Sequence, residues 1–296
     1  MRGSRIIYRF LYKGINSQLL KSCLLLGALF FQLTPQFLHA NPDIIIGLTP
    51  NEAVPKLKEL EAELAKRLGD KVVLFIGKNY EDLRLAFEKG TLSFAIVPPR
   101  VAVKLEKTTP LRYLLKKVYG QSEYYYSAIV AQSKSPFKKL KQLKGKKIGF
   151  VDQESASGYL YPKLMLEQAG LAGNYEESFW GTHEKALEAL KEKKVDAVGV
   201  WADEPSSKKG AWTKMGESTK DYRVLDYSEP IPNDPLIVRE DFYKKAPSTV
   251  LRLMEVLLAL SEETTLVKEI TGADKLTTAT KTHFESVRQL EEKSKQ

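Results

Sequence analysis

Residues 147–170 read KIGFVDQESASGYLYPKLMLEQAG. A short apolar run is followed by a polar turn, and then by apolar residues at helical spacing that stop at Gly170. The turn places Ser155, Ala156, Ser157 and Gly158 at the mouth of the predicted helix. A helix N-terminus carries backbone N–H groups without intrahelical acceptors and a partial positive charge, so an oxyanion docks there readily. Serine hydroxyls add donors without adding charge, and glycine lets the backbone approach closely. The same serines would serve as an ordinary helix cap, and from this stretch alone the two roles stand level.

Working outward, YEESFWG reads as a strand, HEKALEALKEKK as a helix and VDAVGVW as a strand. Upstream, DIIIGL, KVVLFIG and LSFAIVPP read as strands alternating with the helical segments VPKLKELEAELAKRL and YEDLRLAFEKG. Downstream, STVLRLMEVLLALSEE is an amphipathic helix, and HFESVRQLEEKSKQ is a charged helix expected to fray. The alternation predicts an α/β fold whose sheets are mostly parallel and flanked by helices. Two extended segments, YYYSAIVAQ and PIPNDPLIVR, are placed to connect two halves. The predicted lobes are residues 41–126 plus 234–296, and residues 127–233, with a ligand cleft at the hinge between them.

The first forty residues carry Arg2, Arg5, Arg9, Lys13 and Lys21 with no acid, then the run CLLLGALFF and Ala40. That is the layout of a signal peptide cleaved after Ala40, which predicts export to the periplasm. Cys23, the single cysteine, lies at the start of the apolar run. Cleavage would leave no disulfide and no thiol chemistry. The net charge is +9; five of those charges belong to the signal segment, so the remainder carries +4. This modest excess does not point to nucleic acid. The lysines of FKKLKQLKGKKIGF read as a solvated face.

His183 opens a helix in FWGTHEKAL, where a neutral imidazole can cap, pack or donate to an oxyanion. A serine hydrolase built on Ser155 or Ser157 with His183 is disfavoured because the turn reads ESASG and lacks the GxSxG elbow. Beyond Ala40 only His183 and His283 remain, with no cysteine, so neither a histidine-based metal site nor a cofactor is expected.

These features together resemble the phosphonate-type substrate-binding proteins of bacterial ABC transporters, which also include phosphite and phosphate binders. The resemblance is carried by GLTPNE, KNYEDLRLAFEKG, LKGKKIGFVDQESASGYLYPKLMLEQAG, GTHEKALEALKEKKVDAV and SEPIPNDPLIV, in that order from about Ile44 to Val238. It implies a two-lobed periplasmic binding protein type 2 fold, a monomer that delivers a small phosphorus oxyanion to a membrane permease without catalysis. By the same resemblance the oxyanion is held at Ser155, Ala156 and Ser157 and by His183. Tyr80 and either Tyr124 or Tyr126 add contacts, and Asp234 faces an amino group on the ligand. Two letters depart from the family pattern. Ala156 stands where many members have a second hydroxyl, and Pro98 in AIVPPR removes an N–H from its turn. A sensory or accessory anion-binding role on the same fold is the alternative reading.

Overall fold

The computed structural model describes residues 43–49, 56–216 and 220–293. The expected signal segment, with Cys23 and the expected cleavage position after Ala40, lies outside the described residues, as do Pro50, Asn51 and Glu52 of GLTPNE. Twelve strands are formed among the described residues: β1 Ile44–Leu48, β2 Val72–Ile76, β3 Phe94–Ile96, β4 Leu111–Val118, β5 Tyr124–Gln132, β6 Lys147–Phe150, β7 Glu176–Phe179, β8 Ala197–Ala202, β9 Tyr222–Tyr227, β10 Ile231–Pro232, β11 Pro235–Arg239 and β12 Lys275–Thr278. They make two sheets, ordered β12-β4-β11-β3-β1-β2 and β10-β5-β8-β6-β7, with β9 also paired to β5.

The α/β two-sheet architecture agrees with the sequence pattern, but each sheet is mixed where a mostly parallel one was expected. The parallel pairs are β1 with β2 and β3, and β6 with β7 and β8. These are the strands joined by helices, which return the chain in the same direction. Strand β11 runs antiparallel to β3 and β4, and β5 runs antiparallel to β8, β9 and β10. Both β5 and β11 are entered directly from the other sheet, with no crossover helix to restore the direction.

The chain passes between the sheets twice, at residues 119–123 and at residues 233–234. The two passages are bonded to each other. Lys117 N–H donates to Asp234 O (3.0 Å), Asn233 N–H to Glu123 O (3.1 Å) and the Asn233 amide to Ser122 O (3.0 Å).

Two apolar clusters fill the faces of the second sheet, and one fills a face of the first. A fourth cluster joins residues from both sheets. Tyr80, Leu83, Val97 and Val101 pack there with Ala156, Leu160 and Tyr161, and with Val287 and Leu290 of the C-terminal helix Glu285–Lys293. This helix was expected to fray, yet it buries Val287 completely. Its Glu291 carboxylate is only 1 % exposed and meets Arg100 Nε at 2.7 Å. The i, i+3 spacing of Val287 and Leu290 is what holds it down; the charged letters around them obscured that stripe.

Arg100 lies in the helix Pro99–Leu105 and also donates through Nη1 to the Gln153 carbonyl of the serine turn. Beside it Lys104 pairs with Glu154 at 2.7 Å. Removing one partner of a buried pair leaves the other charge poorly compensated, at a cost of about 3 to 5 kcal/mol. Arg100→Met is therefore expected to lower stability by that order in equilibrium urea unfolding. The double variant Arg100→Met with Glu291→Leu should recover part of the loss, and a double variant less stable than the single one would contradict the assignment.

Candidate functional site

The turn after β6 begins with Asp152, whose side chain accepts from Glu154 N–H at 2.7 Å. Ser155 is the N-cap of the helical segment, and its Oγ accepts from Gly158 N–H at 2.9 Å. The segment Ala156–Leu160 is one π-helical turn, with Leu160 N–H reaching back to Ser155 O and Tyr161 N–H to Ala156 O. The wide turn has a cause in the sequence. Pro162 has no N–H to offer Gly158 O and its ring would crowd that carbonyl in a regular helix. Gly158 O instead accepts from Val151 N–H at 3.1 Å. Gly158 itself is required by packing, since a Cβ there would fall 2.5 Å from Val151 Cγ2. The N–H groups of Ala156 and Ser157 open this segment, in the position where a helix start presents its donors outward.

Strand β5 clamps the turn from behind. Ser127 Oγ donates to Ser157 O at 2.7 Å, and two residues earlier on the same strand face Tyr125 lines the same cavity as Ser157. Burial pushes the Tyr125 phenol well above its ordinary pKa, with Asp234 adding to the effect. Tyr80 heads the helix Tyr80–Glu88, which Asn79 caps by accepting from Asp82 N–H at 2.7 Å. Its phenol is likewise raised by burial and then by Asp234. Both phenols are neutral donors at any physiological pH.

His183 heads the helix His183–Lys191, capped by Thr182 Oγ1 on Lys185 N–H. Its Nδ1 accepts from Trp201 N–H at 3.3 Å, so the neutral ring carries its proton on Nε2. Burial lowers its pKa to about 4, which keeps the ring neutral near pH 7. Nε2–H is a donor. It is not the free base that a serine nucleophile would need, and the Nδ1 position where a triad acid would sit is taken by a backbone N–H.

These elements meet in one cavity of about 1160 Å³ lined from both sheets. Of the expected site residues, Tyr80, Tyr124, Ser155, Ala156, Ser157, His183 and Asp234 line it. Tyr126 does not; it packs against the apolar cluster of Ala128, Val130 and Val200. Alternation puts Tyr124 and Tyr126 on one strand face, but Tyr126 lies farther into the sheet, paired with Ala202, whereas Tyr124 is at the open end and 43 % exposed. Ala156 contributes its backbone, since its methyl belongs to the apolar cluster shared by both sheets.

Asp234 carries an arrangement that the sequence reading missed. Lys117 Nζ lies 3.5 Å from Asp234 Oδ2, and both side chains line the cavity. Tyr125 and Thr49 are further lining residues not anticipated. Tyr125 was legible as the first polar position of the Tyr125–x–Ser127 face in an otherwise apolar strand. Lys117, in the run LLKKV, offered no signal that distinguished it from a surface lysine.

A histidine whose folded pKa lies below its unfolded value stabilises the fold above the unfolded pKa, and that contribution is lost as the pH falls from about 6.5 towards 4. Wild-type protein should therefore lose stability across that window more steeply than His183→Gln. In NMR titrations the His183 ring should titrate near 4 and move upward when an oxyanion binds. A ring titrating at its ordinary value would contradict the buried, Nδ1-accepting geometry.

The family model described as "ABC transporter, phosphonate, periplasmic substrate-binding protein" matches residues 46–284. The phosphate-import protein PhnD of Mycolicibacterium smegmatis is 28 % identical over 156 residues, 48 % of this chain; the chain spans about half the length of that relative, 47 %. Among solved structures, PhnD1 from Prochlorococcus marinus in complex with methylphosphonate superposes with a TM-score of 0.71 at 17 % identity, over 86 % of this chain and 98 % of that one. A binding protein component of an ABC phosphonate transporter from Pseudomonas aeruginosa gives 0.66 at 20 % identity, over 85 % and 86 %. Those likenesses establish the periplasmic binding protein type 2 fold, and by its match across most of its length the chain belongs to the periplasmic phosphonate substrate-binding proteins of ABC transporters.

Proposed function

We propose that this protein captures a small phosphorus oxyanion, a phosphonate, phosphite or phosphate, in the cleft between its two sheets and hands it to an ABC permease. The observation that supports this most is the convergence of uncharged donors on one cavity: the start of the Ala156–Leu160 turn, the Ser155 and Ser157 hydroxyls, His183 Nε2–H and the phenols of Tyr80 and Tyr125. The M. smegmatis relative is a phosphate-import protein and the P. marinus relative was solved with methylphosphonate, so the ligand class is the same on both counts.

In this reading the passages at 119–123 and 233–234 are the hinge, so the first boundary lies ahead of β5 and not at the expected residue 126: residues up to 118 and from 235 form one lobe, and residues 124–232 the other. Closure excludes water, and in a drier site each hydrogen bond to the anion is stronger. Neutral donors suit a transport protein, because most of the hold on the anion then comes from hydrogen bonds and not from a direct ion pair that would slow release. Export through a signal peptide cleaved after Ala40, and action as a monomer, complete the proposal.

Calorimetric titration of the purified protein with phosphate, phosphite, methylphosphonate and sulfate tests it. At least one phosphorus oxyanion should bind, and at about 100 times its dissociation constant should stabilise the fold by about 2.7 kcal/mol. Ser157→Ala should weaken that anion about tenfold or more, since a hydrogen bond to a charged group contributes about 1.5 to 3 kcal/mol. Ser155→Ala should in addition cost about 1 kcal/mol of stability, because its Oγ also caps the segment. If no phosphorus oxyanion binds, the reading is wrong.

A further inference from the structure

We propose that Lys117 is a counter-cation built into the site. Paired with Asp234 beside the phenols of Tyr80 and Tyr125, its ammonium group occupies the place that the cationic end of an aminoalkyl ligand would need. The site therefore selects phosphorus oxyanions that carry no cationic substituent, a specificity that rests on the oxyanion reading above.

The position of Lys117 is fixed from both ends. Its backbone N–H donates to Asp234 O at 3.0 Å, so the two residues lie side by side where β4 leaves the first sheet and β11 enters it. Its Nζ then lies 3.5 Å from Asp234 Oδ2, with the lysine side chain 3 % exposed and the aspartate 22 %. A lysine this buried keeps its charge only beside an anion, and Asp234 supplies one. The carboxylate is thus neutralised by the protein before any ligand arrives.

The pair lies at the cradle and not at the rim. Lys117, Asp234, Tyr80 and Tyr125 line one cavity with Ser155, Ala156 and Ser157, Asp234 is the strongest charge acting on both phenols, and Lys117 opposes it at Tyr80. An oxyanion seated at Ser155 to Ser157 would have this ammonium group among its nearest charges. For an inorganic or alkyl phosphorus anion, that neighbour is attractive. For a short aminoalkyl phosphonate, the ligand's own ammonium meets Lys117, and like charges in a site of reduced dielectric repel strongly.

Glu184, Asp203, Glu204 and Lys214 also line the cavity. Glu184 acts on both Tyr80 and His183, and Asp152 acts on Tyr80; both stand on elements of the second sheet, so a cationic substituent meets them only if it points away from Lys117 at the junction of β4 and β11.

The test is a pair of calorimetric titrations of the purified protein, with methylphosphonate and with 2-aminoethylphosphonate. Wild-type protein should bind methylphosphonate about tenfold or more tightly than the amine. Equal affinities, or a preference for the amine, would overturn the inference and leave the oxyanion reading standing; binding of neither, nor of phosphate, would overturn both. Lys117→Met should shift the ratio towards 2-aminoethylphosphonate by about tenfold, and an unmoved ratio counts against the proposal. Should that variant not fold, Asp234→Asn gives the same decision. With its anion removed the buried Lys117 no longer keeps its charge, so the preference for methylphosphonate should narrow, whereas a loss confined to 2-aminoethylphosphonate, with methylphosphonate unchanged, would show that Asp234 binds the ligand's amine and overturn the inference.

Discussion

The hydrogen bonds between the two passages of the chain are the constraint on which the rest of this molecule depends. Each sheet is an ordinary α/β layer, and neither sheet contains the cavity alone. Because Lys117 N–H is bound to Asp234 O and Asn233 is bound to both Glu123 and Ser122, the sheets are joined by a short two-stranded tie. The tie sets how the serine turn of the second sheet faces Tyr80 of the first. It also decides the mixed direction of the sheets, since β5 and β11 start where the passages end.

Around that tie the site solves an electrostatic problem with little net charge. The serine hydroxyls, backbone N–H groups, protonated phenols and a neutral imidazole are all donors. Burial, which would be costly for ionised groups, here keeps the phenols protonated and the ring uncharged. Lys117, the full cation that acts on the Tyr80 phenol, is already matched by Asp234.

Much of this was legible in the sequence, for identifiable reasons. The strand, serine turn and helix of residues 147–170 could be read because period, punctuation and turn residues agree there. The same holds for the helices headed by Tyr80 and His183, where Asn79 and Thr182 are caps. Strand β4 escaped because LRYLLKKV carries two lysines, and both prove buried, Lys116 beside Glu123 at 2.6 Å and Lys117 beside Asp234. Partners distant in sequence turned apparent surface letters into interior ones. The C-terminal helix was misjudged for the same reason, since Glu291 looks solvated until Arg100, 191 residues away, is placed against it. Among the three tyrosines, alternation pointed to Tyr124 and Tyr126 and passed over Tyr125, whereas the cavity takes Tyr124 and Tyr125 at the open end of β5 and stops short of Tyr126.

The absence of a donor at Pro162 has a consequence for timing. Because Gly158 O turns to Val151 and Gly158 Cα packs against the Val151 side chain, the serine turn is fastened to the end of β6 and travels with the second sheet as one piece. A turn fastened in this way has no local route for letting go of what it holds. In the proposed reading, dwell time then belongs to the contacts that span the two sheets, Arg100 with the Gln153 carbonyl and Lys104 with Glu154, whereas the choice of occupant belongs to the cradle. Holding and choosing are assigned to different side chains, so each can change over evolution while the other is preserved.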